Sequence, residues 1–253
     1  MSVPRGKYFE GRASRARIAF HDSSVDVRSY YALRQILKEH PGAARHLNNV
    51  GRGVYVMVSA LWEAYCEDLA LEAAEVLVRE AVTPDGLPPV LARRIALELR
   101  TDKHELSPWK LAGDGWRVLT LERVAEIARA TIFNTPKPSQ VDELFERAIG
   151  IPALSSGWTT PPEMGDALIQ NVLLECIQLR GLIAHGASPR PVISKSKVSE
   201  FIQTIQSLVE QTDNAVGAFL HERTGSNPWN NKPATVDGSV EADDDDADGG
   251  SDA

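Results

Sequence analysis

Only two cysteines, Cys66 and Cys176, occur in 253 residues, and both fall inside apolar helical patterns far apart in the chain. That excludes a disulfide framework and a cysteine-based metal knuckle and leaves buried structural thiols. No stretch approaches the roughly 18 uninterrupted apolar residues of a membrane helix, and no apolar signal core follows the first charges. The protein is expected in the cytoplasm, with no membrane contact. Alternating apolar and polar residues are missing too, so no strand is predicted. There is no Gly-rich phosphate loop followed by Lys, no dinucleotide fingerprint, no nucleophile elbow and no His-Glu-x-x-His pair. Mononucleotide cofactors and zinc are therefore unsupported, and no cofactor is expected.

What is present starts with a 43% hydrophobic, 25% charged composition, enough for a sizeable core. The formal charge of −8 at first argues against a partner rich in phosphate, because polyanions are held by Lys and Arg. Its distribution reverses that reading. From Asn231 to Ala253 there are eight acids and one base, which leaves 26 bases against 27 acids in residues 1–230. The body is near neutral, and Arg5, Lys7, Arg12, Arg15 and Arg17 precede it with only Glu10 among them.

Periodicity organises the rest. Residues 1–22 are basic and aperiodic and read as a flexible arm. Ser23 and Ser24 offer N-caps for a helix that His40-Pro41-Gly42 stops. From about Val54 to Val82, apolar residues such as Val54, Val58, Trp62, Tyr65, Leu69, Ala73 and Leu77 recur three or four apart, which predicts one long helix with a buried stripe. Further helices are predicted from about Pro89 to Arg100, Leu119 to Ile132, Ser139 to Ile149, Glu163 to His185, and Lys195 to His221. Residues 225–253 have little to bury and read as a disordered acidic tail. The expected architecture is an all-α helical bundle over residues 23–224.

One pair of residues in this bundle has chemistry to offer. An imidazole moves a proton near neutral pH, and a guanidinium grips a phosphate through two hydrogen bonds. An Arg followed closely by a His recurs along the chain, as at Arg15 and His21, Arg34 and His40, and Arg180 and His185. The first lies in the expected arm and the second straddles a helix end, where a His is an ordinary partner of the helix dipole. Arg180 and His185 close the most apolar helix of the C-terminal half.

The run Arg180-Gly-Leu-Ile-Ala-His185-Gly186 resembles the signature of HEPN domains, the helical domains of many prokaryotic toxin and defence ribonucleases. Val58-Ser-Ala-Leu-Trp-Glu-Ala-Tyr-Cys-Glu-Asp-Leu69 is similar to the second-helix pattern of the RiboL-PSP-HEPN branch and its relatives, as is Phe133-Asn-Thr-Pro followed by Val141-Asp-Glu-Leu-Phe and Gly150-Ile. The resemblance spans roughly residues 45–222. It implies a homodimer through the motif-bearing helices, with both copies of Arg180 and His185 in one cleft. His185 would transfer protons and Arg180 would bind phosphate. The implied reaction is metal-independent attack of a ribose 2′-hydroxyl on the adjacent phosphate, so RNA is the implied substrate, with a cognate antitoxin or defence partner.

Two departures from the family pattern stand out. Active members usually carry a polar residue directly after the Arg, and here Gly181 stands there, with no side chain to bond RNA. Ala187 stands where some members carry a Tyr that is modified to silence them. A catalytically inactive HEPN dimer that binds protein or RNA is thus the alternative to an endoribonuclease. Arg180 could equally pair with Glu63 or Glu67 while His185 caps its helix, both serving packing alone. Glu63, beside Trp62 and Tyr65, either orients Arg180 or is a solvated helix residue. Trp109, Trp116 and Trp158 read as core or loop anchors, and Trp229 as a residue of the tail. The tail itself, a polyanion, would compete with RNA for any basic cleft.

Overall fold

The computed structural model describes residues 13–38, 42–130, 136–165, 167–186, 189 and 191–229. Among them are seven α-helices and no strand: α1 Arg15–Leu37, α2 Ala43–Glu80, α3 Pro89–Thr101, α4 Gly115–Ala128, α5 Pro138–Ile149, α6 Ile169–Ala184 and α7 Lys195–Thr224. The all-α expectation holds. Helix α2 is the axle, packing against α1, α4, α5, α6 and α7.

The predicted stripe explains that position. Val54, Trp62, Cys66, Leu69 and Ala73 are fully buried, and Val58, Tyr65 and Leu77 nearly so. Their three- and four-residue spacing keeps one face continuous over the whole helix. The Tyr65 hydroxyl donates to Val209 O at 2.9 Å, and the Trp62 ring stacks beside Tyr65 and meets Trp158 edge-on. Trp158 Nε1 in turn donates to the Thr212 hydroxyl and Trp62 Nε1 to Pro136 O, both at 3.1 Å, so the polar ends of Trp62, Tyr65 and Trp158 are satisfied. The Tyr55 hydroxyl donates to Lys197 O at 3.2 Å, and with the Tyr65 bond this sets α7 parallel to α2. Cys66 and Cys176 are free and buried, as expected, and burial raises both thiols, Cys176 to about 12.

The chain departs from the sequence reading where long-range partners decide. Helix α1 starts at Arg15, with Ser14 as its cap, instead of after Ser23 or Ser24. The two carboxylate oxygens of Glu72 accept from the backbone N–H groups of Arg15 and Ala16, both at 3.0 Å, and the Ser14 hydroxyl accepts from Arg17 N. Asp213 accepts from the Ser14 hydroxyl and lies 3.8 Å from the Arg17 guanidinium. The first orphan donors of α1 are thus met by acids from α2 and α7. The expected arm therefore contributes its residues 15–22 to a helix; residues 1–12 lie outside the described residues.

Other boundaries shift for local reasons. Helix α2 begins at Ala43 rather than Val54; its first turns are mostly polar, with only Val50 and Gly51 buried there, so no apolar stripe marks them in the sequence. Pro138 opens α5 and the Gln140 side chain accepts from Lys137 N at 3.2 Å, so Ser139 is not the cap. Helix α6 begins at Ile169 rather than Glu163, because Pro161 and Pro162 hold a short 3-10 turn and the Thr160 hydroxyl bridges Ala167 O and Ile169 N. Trp116 and Trp158 are buried as expected, whereas Trp109 is 72% exposed. Trp229 is the largest correction. It is 7% exposed and belongs to the core, not the tail. Its indole covers Gly217 of α7, where a Cβ would stand 2.7 Å from Nε1, so only glycine permits the approach. Residues 230–253 lie outside the described residues.

Candidate active site

Helix α6 carries Arg180 and leads directly into His185. Ile169, Leu173 and Ile177 are buried and Val172 and Cys176 nearly so, which pins one side of the helix to the core. The opposite side, with Glu175, Gln178 and Leu182, faces solvent. The last helical residue is Ala184. His185 is the C-cap, its backbone N–H donating to Gly181 O at 3.0 Å, and Gly186 follows at φ 66°, a left-handed conformation that ends the helix. The His185 side chain is exposed, so its imidazole meets solvent directly.

Arg180 is half-buried, and its Nε is buried with no hydrogen-bond partner. Its guanidinium lies close enough to Glu63 of α2 to act on that carboxyl. Burial raises Glu63 above the usual carboxylate range, and the charge of Arg180 pulls it partly back. The two do not form an ion pair among the described residues. Glu67, one turn along α2, is likewise raised by burial and by Glu63 and Asp68, and is lowered by Arg129 at the end of α4. Arg129 was not singled out from the sequence, because a cation at a helix C-terminus is an ordinary dipole partner and carries no further signal.

Within one chain, then, the charge of Arg180 reaches Glu63, and His185 is exposed at the end of the helix. Five residues of helix turn a side chain by about 140°, so Arg180 leans to the inner side and His185 to the outer. Gly181 lies between them on open ground, since a Cβ there would meet nothing within 4 Å. The Arg15–His21 and Arg34–His40 pairs do not form comparable sites. Arg15 is paired with Glu72 and Glu75, and Arg34 donates to Leu47 O at 3.0 Å, while His40 lies outside the described residues. Among the described residues, no three His, Cys, Asp or Glu side chains are grouped so as to hold a metal ion, and no helix is long and apolar enough to cross a membrane.

No curated protein and no solved structure matches the chain. A family model does, that of RiboL-PSP-HEPN, and its match over residues 28–218 contains α2, α6 and the whole Arg180–His185 run. With most of the chain covered and an all-α bundle around the motif, the protein belongs to the RiboL-PSP-HEPN family.

Proposed function

We propose that the chain is an endoribonuclease that cleaves RNA without a metal ion, as a homodimer in which two copies of Arg180 and His185 face one substrate. The observation that carries this reading is the Arg180 Nε, buried without a partner one turn before an exposed His185. A guanidinium that spends no donor on Glu63 keeps its fork for a phosphate. Glu63 is a positioning residue here, acting on Arg180 by charge alone.

The chemistry balances with two imidazoles. The ribose 2′-oxygen attacks the adjacent phosphorus and passes its proton to one His185. The bond from phosphorus to the 5′-oxygen breaks, and that oxygen takes a proton from the other His185. A 2′,3′-cyclic phosphate and a free 5′-hydroxyl result, and Arg180 neutralises charge building on the phosphoryl oxygens. The 140° offset between the two side chains is why a second copy is required: one chain's His185 and its partner's Arg180 meet across the cleft more readily than the pair on one helix. The setting we propose is prokaryotic defence, toxin–antitoxin pairing or stress response, with a cognate partner protein.

The test is cleavage of RNA by the purified protein in EDTA. His185→Ala should keep the dimer and lose about a hundredfold to ten-thousandfold in rate, and Arg180→Ala should lose rate with weaker RNA retention. Equal cleavage by His185→Ala would sink the assignment. The second reading, a catalytically inactive HEPN dimer that binds protein or RNA, is favoured by one observation, Gly181, and predicts cleavage by none of the three proteins.

A further inference from the structure

Two segments far apart in sequence are almost free of acids. Between Val27 and Trp62 the chain carries Arg28, Arg34, Lys38, Arg45 and Arg52 against Glu39 alone, and between Cys176 and Ser199 it carries Arg180, Arg190, Lys195 and Lys197 against none. The fold brings the two together at one end of the bundle. Arg52 Nη1 donates to Pro191 O at 3.3 Å, the Tyr31 hydroxyl donates to Lys195 O at 3.3 Å, and Ile193 N donates to Asn48 Oδ1 at 2.7 Å. The end of α1, the starts of α2 and α7, and the segment that follows His185 therefore meet.

The cations at this end divide into two groups. Arg34 and Arg52 spend donors on the carbonyls of Leu47 and Pro191 and hold the segments in place. Lys38, Arg45, Lys195 and Lys197 are exposed, and among the described residues none of them is in an ion pair. Elsewhere in the bundle Arg15, Arg17, Arg94, Arg117, Arg123 and Arg147 are paired with acids, while the exposed cations in no ion pair, among them Arg93, Arg100 and Arg129, stand apart from one another along the sequence. The helix starts add to the excess. Neither α2 nor α7 has an acid in its first turn; Gly42 gives α2 no side-chain cap, whereas the Ser194 hydroxyl caps α7 by accepting from Lys197 N at 3.2 Å, so the start of α2 is the less compensated dipole end. The opposite dipole at the end of α1 is covered by Arg34 in its last turn and by Lys38.

We propose that this end is an RNA-docking surface, on which Lys38, Arg45, Lys195 and Lys197 hold the phosphates of a single strand and lead it to His185. The surface offers the ammonium groups of Lys38, Lys195 and Lys197 and the guanidinium of Arg45, which suits the phosphates of a nucleic-acid backbone. Its identity as an RNA surface rests on the ribonuclease reading, because the ligand class comes from there; its position and charge do not.

The test uses the full chain with His185→Ala, to stop cleavage, and the same chain with Lys38→Gln, Arg45→Gln, Lys195→Gln and Lys197→Gln added. Binding of a fluorescent oligouridylate is followed across salt concentration, with circular dichroism confirming that the surface changes leave the helices intact. Each phosphate contact on a single strand contributes about 0.7 to the slope of log affinity against log salt, so the four changes should lower that slope by about 3 and weaken low-salt binding at least tenfold. An unchanged slope and affinity would overturn the proposal. So would RNA that binds neither protein, including the case in which a peptide of residues 231–253 does bind and loses affinity with the four changes, which would give the surface to the chain's own acidic segment. If the intact chain binds RNA through these four residues and never cleaves it, the docking surface stands and the ribonuclease reading falls.

Discussion

The backbone N–H of Ile193 donates to Oδ1 of Asn48 at 2.7 Å, joining the segment after α6 to the first turns of α2 across 145 residues of sequence. Ile193 is itself buried, so its amide has few other partners. Asn48→Ala should cost about 1–3 kcal/mol, the usual penalty for stranding a buried donor. Chemical denaturation measures the loss, and hydrogen exchange at the Ile193 amide should quicken in the same variant. An unmoved midpoint would mean that water takes the place of the carboxamide.

Gly181 invites a gain rather than a loss. Because a Cβ there meets nothing within 4 Å, Gly181→Asn should fold as the parent does and gain a few tenths of a kcal/mol in helix propensity. If the ribonuclease reading holds, a polar side chain between Arg180 and His185 should also raise cleavage. Single-turnover rates of the two proteins in EDTA decide it, and a rate no higher than the parent's would show that the glycine does not limit catalysis.

The Asp213 carboxyl is pushed up to about 6 by burial, against the hydrogen bond from Ser14 and the charge of Arg17, which favour the ionised form. Its ordinary value is 3.8. Between those values the folded chain holds a proton that the unfolded chain has released. Stability from this group is therefore greatest near pH 4 and below, falls as pH rises towards about 6, and is flat above. Glu63, Glu67 and Asp68 are raised as well and slope the same way, so the comparison must be with Asp213→Asn. Relative to that variant, the parent should lose on the order of 3 kcal/mol between pH 4 and pH 7. A constant difference in denaturation free energy across that range would return the carboxyl to its ordinary value.

Trp229 should behave as a core residue although it stands among polar neighbours. Trp229→Ala is expected to cost about 3 kcal/mol, at the low end for a buried Trp because its indole N–H has no partner. Gly217→Ala should also destabilise, by forcing the indole from its 2.7 Å approach. Denaturation midpoints like the parent's in both variants would place Trp229 outside the cooperative core.

These cases also show what a sequence can and cannot reveal. The stripe from Val54 to Leu77 was legible because helical periodicity is local, and it located the axle of the bundle correctly. The motif helix was legible for the same reason, up to its stop at Gly186. The true start of α1 was not, because its caps are Glu72 and Asp213, which belong to other helices. Trp229 was not, because one aromatic side chain has no period. Arg180 and His185 stand out in the sequence through the resemblance of their run to the family signature, while the reach of the Arg180 charge to Glu63 depends on how α6 crosses α2. The basic end was visible as two acid-poor stretches, but only their meeting through Asn48 and Ile193 makes it a surface.

Because α7 runs parallel to α2, Lys195 and Trp229 sit at opposite stations along it. Trp229 packs at the level of Gly217, about 33 Å down the helix axis from Lys195 at 1.5 Å per residue. That span is about four Debye lengths at physiological salt, at about 8 Å each, so a polyanion bound at Lys195 leaves the packing at Trp229 electrically undisturbed.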